Sequence, residues 1–211
     1  MKISDLNKEY EGLRVLNNFN IEFEEEKITA LLGPSGSGKT TLLNIISGLE
    51  QYDSGDIVGL ERKKFSYIFQ EDRLLPWFSV EENIKFVLKG DNTEEETDNI
   101  TDKYLRIVDL EEYRYYLPKQ LSGGMKQRVS IARAFAYPSD ILLMDEPFKG
   151  LDMELKTNLM KSFISLWNED KRTVIFITHD MDEAMLLADY VFILEGKPLG
   201  IKERIVTPIR K

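Results

Sequence analysis

The run ITALLGPSGSGKTTLLNIIS, residues 28–47, constrains this chain more than any other stretch. ITALL is apolar throughout and short enough to be a buried strand, and TTLLNIIS has the apolar spacing of a helix. Between them Gly33-Pro34-Ser35-Gly36-Ser37-Gly38-Lys39-Thr40 fits G-x-x-x-x-G-K-[ST] in the strand–loop–helix setting that this pattern requires. Glycines at these places let backbone N–H groups approach phosphate oxygens closely, and the helix N-terminus adds a positive dipole. Lys39 is expected to reach the β- and γ-phosphates of a nucleotide and the Thr40 hydroxyl to ligate Mg²⁺, with Thr41 closing the nucleotide-binding set. A flexible turn with a chance lysine would lack both flanking elements.

Four more apolar runs read as buried strands: FSYIF (65–69), ILLM (141–144), TVIFIT (173–178) and YVFIL (190–194). Helix-like segments separate most of them, the pattern of βαβ units around a mainly parallel sheet. FNIEFEEE alternates apolar and charged residues, as a half-exposed antiparallel strand does. Between Gln70 and Asp140 the character turns helical. Ser79…Glu82 and Thr93…Glu96 have capping-box spacing. Behind them Ile84, Val87 and Leu88, then Ile100, Tyr104, Ile107 and Val108, form apolar stripes. The predicted fold is α/β: a P-loop NTPase core with a mainly parallel sheet, an N-terminal antiparallel β part, and an inserted helical subdomain. The predicted organisation is a single domain over 1–211, its core in 1–70 and 139–211 and its helical subdomain in 71–138.

Two carboxylates, Asp145 and Glu146, emerge directly after ILLM. A strand-end Asp beside a P-loop can hold Mg²⁺ through water. The next carboxylate, Glu146, is placed to take a proton from attacking water. An acidic pair serving only a helix N-terminus is the plainer reading, and the P-loop tips the balance to catalysis. Gln70 follows FSYIF, and His179, the only histidine, follows TVIFIT. Ligands of open parallel sheets sit beyond the carboxyl ends of the strands. Gly33, Gln70, Asp145 and His179 all occupy such ends, so they can converge on one triphosphate.

A second glycine-containing helix start appears at LSGGMKQR, residues 121–128. Ser122 can simply be the N-cap of a helix running to about residue 136, with Val129, Ile131, Ala132 and Phe135 inward. That reading does not explain two successive glycines, each of which weakens a helix by ~0.5–1 kcal/mol relative to alanine. Exposed amides at a helix start attract anions, so something is expected to dock there.

Composition narrows the choice of function. A chain of 211 residues buries roughly 70% of its unfolded surface, enough for a substantial core. Its net charge of −9 argues against a broad nucleic-acid surface. The absence of cysteine excludes disulfides, thiolate metal sites and cysteine nucleophiles. MKISDLNKEYEG carries no secretory h-region, and no apolar run approaches the ~20 residues of a membrane span. Work at a membrane would need another chain to hold this one there.

Taken together, the ordered motifs resemble the ATP-binding subunit of ABC transporters. GPSGSGKT is similar to the family's Walker A, ILLMDEP to its Walker B, LSGGMKQR to its signature and ITHD to its switch histidine. Phe69-Gln70 resembles the Q-loop and Leu151-Asp152 the D-loop, while Tyr10 matches by spacing the aromatic that stacks on adenine. The similarity runs from about residue 2 to 200. It implies ATP and Mg²⁺ as ligands, the metal held by Thr40, Gln70 and Asp145. It implies catalysis by Glu146 and His179 with Gln70. It further implies a head-to-tail dimer of two copies, each ATP lying between one chain's Walker A and the other's Ser122, Gly123 and Gly124. Transmembrane permease subunits and, through them, a solute-binding protein are the implied partners, with no nucleic acid. The implied location is peripheral, on the cytoplasmic face of the cell membrane.

A finer resemblance lies in FQEDRLLPWFSVEENI, whose RLLPW is similar to importers of the nitrate, sulfonate and taurine group. The chain departs from that group in three places. Residues 55–65 are abbreviated, Lys149-Gly150 replaces a pair of small residues before the D-loop, and no C-terminal regulatory domain is expected. The cluster Leu74, Leu75, Pro76, Trp77, Phe78 fits a permease-facing patch or core packing equally well. The main rival is a soluble ABC-type ATPase not coupled to transport, though such proteins carry tandem domains or long insertions. A small-molecule kinase has no use for LSGG. A non-hydrolysing module would not need Lys39, Asp145, Glu146 and His179 together.

Overall fold

The computed structural model describes residues 1–90 and 92–208. In chain order it begins with β1 (Lys2–Tyr10), β2 (Leu13–Glu22), β3 (Ile28–Leu32), α1 (Lys39–Ile46), β4 (Ser54–Val58) and β5 (Phe65–Ile68). Helices α2 (Val80–Lys85), α3 (Glu94–Ile107) and α4 (Gly123–Ala136) follow, then β6 (Ile141–Asp145), α5 (Met153–Glu169) and β7 (Thr173–Thr178). The chain ends its regular structure with α6 (Met181–Leu187), β8 (Tyr190–Glu195) and β9 (Gly200–Val206). It forms two compact units. The first holds Met1–Phe65, Asp140–Glu146 and Lys171–Lys211; the second holds Ser66–Ser139 and Pro147–Asp170.

In the first unit the strand order is β6-β7-β3-β8-β9, with β6, β7, β3 and β8 parallel and β9 antiparallel to β8. Every residue of β3, β6 and β7 is buried, as expected of central parallel strands covered on both faces. That is why these strands read as continuous apolar runs. Leu32 lies opposite Thr178, and Asp145 opposite Ile177. Such a register brings Gly33, Glu146 and His179 out at one edge of the sheet.

A second sheet of the same unit has the order β2-β1-β4, all antiparallel. Strand β1 pairs with β2 through several register shifts, so its buried positions Ile3, Leu6 and Lys8 do not alternate cleanly. Lys8 is tolerated there because its ammonium meets the Glu50 carboxylate at 2.8 Å. The two sheets meet where Phe23 and Phe192 pack with ring centroids 6.4 Å apart, and where Leu16 bridges to Leu199.

The second unit is helical. Both expected capping boxes are present: Ser79 with Glu82 at the start of α2, and Thr93 with Glu96 at the start of α3. Helix α4 packs against α2, α3 and α5. Phe135 of α4 and Phe148 both set their rings edge-on to Phe163 of α5, at 5.6 and 6.5 Å, the geometry that aromatic quadrupoles favour. Among the described residues no helix is long and apolar enough to cross a membrane.

Candidate active site

Within the first unit, the loop after β3 is shaped by what it touches. A Cβ on Gly33 would overlap the Leu194 carbonyl of β8, and one on Gly38 would lie 2.5 Å from Val15 Cγ1 of β2. Gly38 is also left-handed, at φ 108°, a conformation that side chains other than glycine resist. The loop is therefore pressed between two strands, β8 on the Gly33 side and β2 on the Gly38 side. Ser35 and Gly36 face solvent while Ser37 is buried.

Lys39, the first residue of α1, folds its side chain back into the loop. Its ammonium donates to the carbonyl oxygens of Pro34 at 2.6 Å and Gly33 at 2.9 Å, and meets Ser37 Oγ at 3.4 Å. Burial pushes its pKa below the usual lysine range, opposed by the negative charges of Glu146 and Asp145. Next along, Thr40 Oγ1 donates to Asp145 Oδ2 at 2.8 Å. Glu146 follows with a left-handed backbone, φ 48°, and its amide donates to Ile177 O at 3.1 Å. A non-glycine residue held in that region costs on the order of 1–3 kcal/mol and persists where surroundings fix it. Here it turns the carboxylate so that Oε1 lies 3.7 Å from His179 Nδ1. The His179 side chain is itself largely exposed. Asp180 behind it caps α6 by accepting from the amides of Asp182 and Glu183, which steadies the segment carrying the histidine.

Tyr10 ends β1 opposite Leu13, two residues before the Val15 that presses on Gly38. Its ring is part-exposed, with the Lys8 ammonium 4.5 Å from the centroid. Thr41 is half-buried on α1.

The remaining candidate residues gather in the second unit. A groove of about 560 Å³ is lined by Gln70, Asp72, Ser122, Gly123, Gly124, Gln127, Lys149 and Asp152, among others. Ser122 caps α4 by accepting from the Met125 amide at 3.3 Å, and it and Gly123 are exposed. The two glycines differ. A Cβ on Gly124 would overlap the Leu155 side chain of α5, whereas one on Gly123 would meet nothing within 4 Å. Asp152 caps α5, accepting from the Leu155 amide at 2.9 Å.

Three polar residues that sequence reasoning did not single out position these groups. Asn83, fully buried, accepts from the Leu75 amide and donates to the carbonyls of Leu75, Phe78 and Ser79. Arg133 donates to the carbonyls of Arg73 and Asp72. Together they pin the segment after Gln70. Gln127, inside the LSGGMKQR run, donates to the Pro147 carbonyl at 2.6 Å. The only prior signal was that Asn83 and Arg133 sit polar on otherwise apolar helix faces. The cluster 74–78 divides: Leu74 is buried, while Trp77 is 68% exposed and stacks edge-on with Phe78, which in turn packs on exposed Phe86.

A family model described as ABC transporter matches residues 16–149. An ABC transporter ATP-binding protein of Methanocaldococcus jannaschii, MJ0412, is 41% identical over 96% of this chain and 80% of its own length. The aliphatic sulfonates import ATP-binding protein SsuB of Bacillus cereus is 40% identical over 90% of this chain and 78% of its own. Among solved structures, a dimeric post-hydrolysis state of the ATP-binding cassette MJ0796 with ADP and Pi superposes with a TM-score of 0.84. It is 29% identical and covers 98% of both chains.

Proposed function

Because the chain belongs to the ABC transporter family and is an ATPase of that family, we propose that it drives solute import through a separate membrane permease. The observation that carries the catalytic part is the meeting, within one unit, of Thr40 with Asp145 at 2.8 Å and of Glu146 with His179 at 3.7 Å. ATP fits the cradle: the glycines carry no side chain that would keep a phosphate from the loop backbone, and Lys39 needs only to exchange loop carbonyls for phosphate oxygens. A hydroxyl and a carboxylate are the hard oxygens that Mg²⁺ prefers, with phosphate and water filling its other positions. Mg²⁺ held by Thr40 and Asp145, which meet at 2.8 Å, would neutralise charge on the β- and γ-phosphates.

Glu146 then accepts the proton of a water whose oxygen attacks the γ-phosphorus, while the bond to the β–γ bridging oxygen breaks and ADP leaves. General-base help of this kind is typically worth about 10²–10⁴ in rate. His179 steadies the γ-phosphate, and Tyr10 stacks on the base. The exposed start of α4 completes the site in a second copy, Ser122, Gly123 and Gly124 meeting the partner's ATP while Asp152 borders it. The dimeric state of the MJ0796 cassette supports that arrangement, and a two-fold pair is self-complementary as such an interface must be.

For the solute, RLLPW and the 40% identity to an aliphatic sulfonate importer support a sulfonate-, nitrate- or taurine-like anion. The exposed Trp77 and Phe86 supply the apolar surface a permease would cover, holding the chain peripherally at the inner face of the membrane. The test is Glu146→Gln: ATP binding is retained, turnover falls about 10²–10⁴-fold, and Mg-ATP traps a dimer on size exclusion. A monomer with unchanged turnover overturns the base assignment. Co-purification of a permease and a solute-binding protein with the tagged chain from gently solubilised membranes tests the transport reading. Their absence, with the ATPase soluble and active, overturns it.

A further inference from the structure

The turn between β8 and β9 lies against the P-loop at both ends. At one end the Leu194 carbonyl occupies the space where Gly33 would carry a Cβ. At the other, Leu199 is buried, its amide donates to Val15 O at 2.8 Å, and its Cβ lies 3.8 Å from the Cβ position of Gly38. With both ends fixed, the intervening residues must cross the middle of the loop. Lys197 does so: its ammonium lies 3.9 Å from the Cβ position of Gly36. No hydrogen bond or ion pair engages Lys197 among the described residues. The acid nearest to it in sequence, Glu195, is taken by Lys202 at 2.8 Å.

We propose that Lys197 is a second nucleotide-binding lysine, adding positive charge to the exposed side of the phosphate cradle and favouring ligands by the number of their phosphate charges. Lys39 is enclosed within the loop, so it acts by direct contact. Lys197 sits at the solvent edge beside Gly36, so it acts at short range through partly screened charge. Its contribution should decline with salt, because charges near the surface are screened over about 8 Å at physiological ionic strength. Nothing in this stretch of sequence marks the lysine; the folding of the turn onto the loop places it.

This inference rests on the cradle being the ATP site, so Lys39→Ala serves as the test of that premise. Affinities of the full chain, kept dilute and monomeric, are measured for ATP, ADP, AMP and adenosine with Lys197→Gln, Lys197→Arg and Lys197→Glu. Lys197→Gln should weaken ATP about three- to tenfold at low salt, ADP less, and adenosine not at all. Lys197→Glu should weaken ATP further, Lys197→Arg should restore it, and 0.5 M salt should erase most of the difference. Equal losses for ATP and adenosine would reduce the residue to a structural role and overturn the proposal. So would an unchanged monomer affinity, including the case in which only dimer formation suffers. If Lys39→Ala also left ATP binding intact, the site assignment itself would fail.

Discussion

The chain has two glycine-containing helix starts, and they differ in what their own surroundings require of each glycine. Ahead of α1, Gly33 and Gly38 are both forced: β8 and β2 leave no room for a Cβ, and Gly38 is left-handed besides. At α4 only Gly124 is forced, by Leu155, while Gly123 stands in open space with an ordinary helical backbone. A glycine at a position where its own chain has room for a side chain, beside exposed amides, would suit a ligand or partner arriving from outside. The P-loop is closed in by its own chain, whereas the start of α4 leaves Ser122 and Gly123 open to solvent.

The largest effect should come from adding a Cβ to the P-loop. Gly38→Ala places a side chain in left-handed backbone, costing about 1–3 kcal/mol, and overlaps Val15, adding about 1–3 kcal/mol. The loop should relieve that strain by shifting, and isothermal titration should show ATP affinity falling about tenfold for each 1.4 kcal/mol that binding must then restore. Near-normal affinity would mean that β2 yields and the cradle is less fixed than described. Ser122→Arg tests the other start. It removes a cap worth about 1 kcal/mol and fills the exposed anion position, so ATPase should drop about 10²-fold, the scale of losing a preorganised donor. Monomer affinity for ATP should stay as it was. A collapse of that affinity would move Ser122 into the cradle of its own chain.

The legible parts of the sequence were those whose physics is local. Strands β3, β6 and β7 are buried on both faces, so nothing polar interrupts them, and the capping boxes at Ser79 and Thr93 are read within four residues. Gly33, Glu146 and His179 were legible as strand-end residues because the parallel register of β3, β6 and β7 puts those ends at one edge. Strands β1, β4 and β9 were not. Bulges put β1 out of phase, β4 buries no residue fully, and β9 is almost wholly exposed, each held by a neighbour rather than by its own pattern. The cluster 74–78 could not be divided from sequence because Asn83 and Arg133, which set its path, act from other helices. Lys197 was invisible for the same reason: its place depends on where β8 and β9 turn.

The smaller effects separate the two glycines of α4, and they should differ in sign. Gly124→Ala drives a methyl into Leu155, which must shift, at about 1–3 kcal/mol. For a chain of this size the melting temperature should fall by roughly 2–4 °C per kcal/mol, with ATPase lost in proportion to folded protein. Gly123→Ala meets no neighbour and improves helix propensity, so stability should hold or rise by at most about 0.5–1 kcal/mol. If the exposed amides serve a partner's nucleotide, that same harmless change should still lower ATPase several-fold while monomer ATP affinity is unaltered. A Gly123→Ala chain that is slightly more stable and fully active would remove the reason for reading this glycine as functional. Ser122 would then be only the helix cap that its bond to Met125 already makes it.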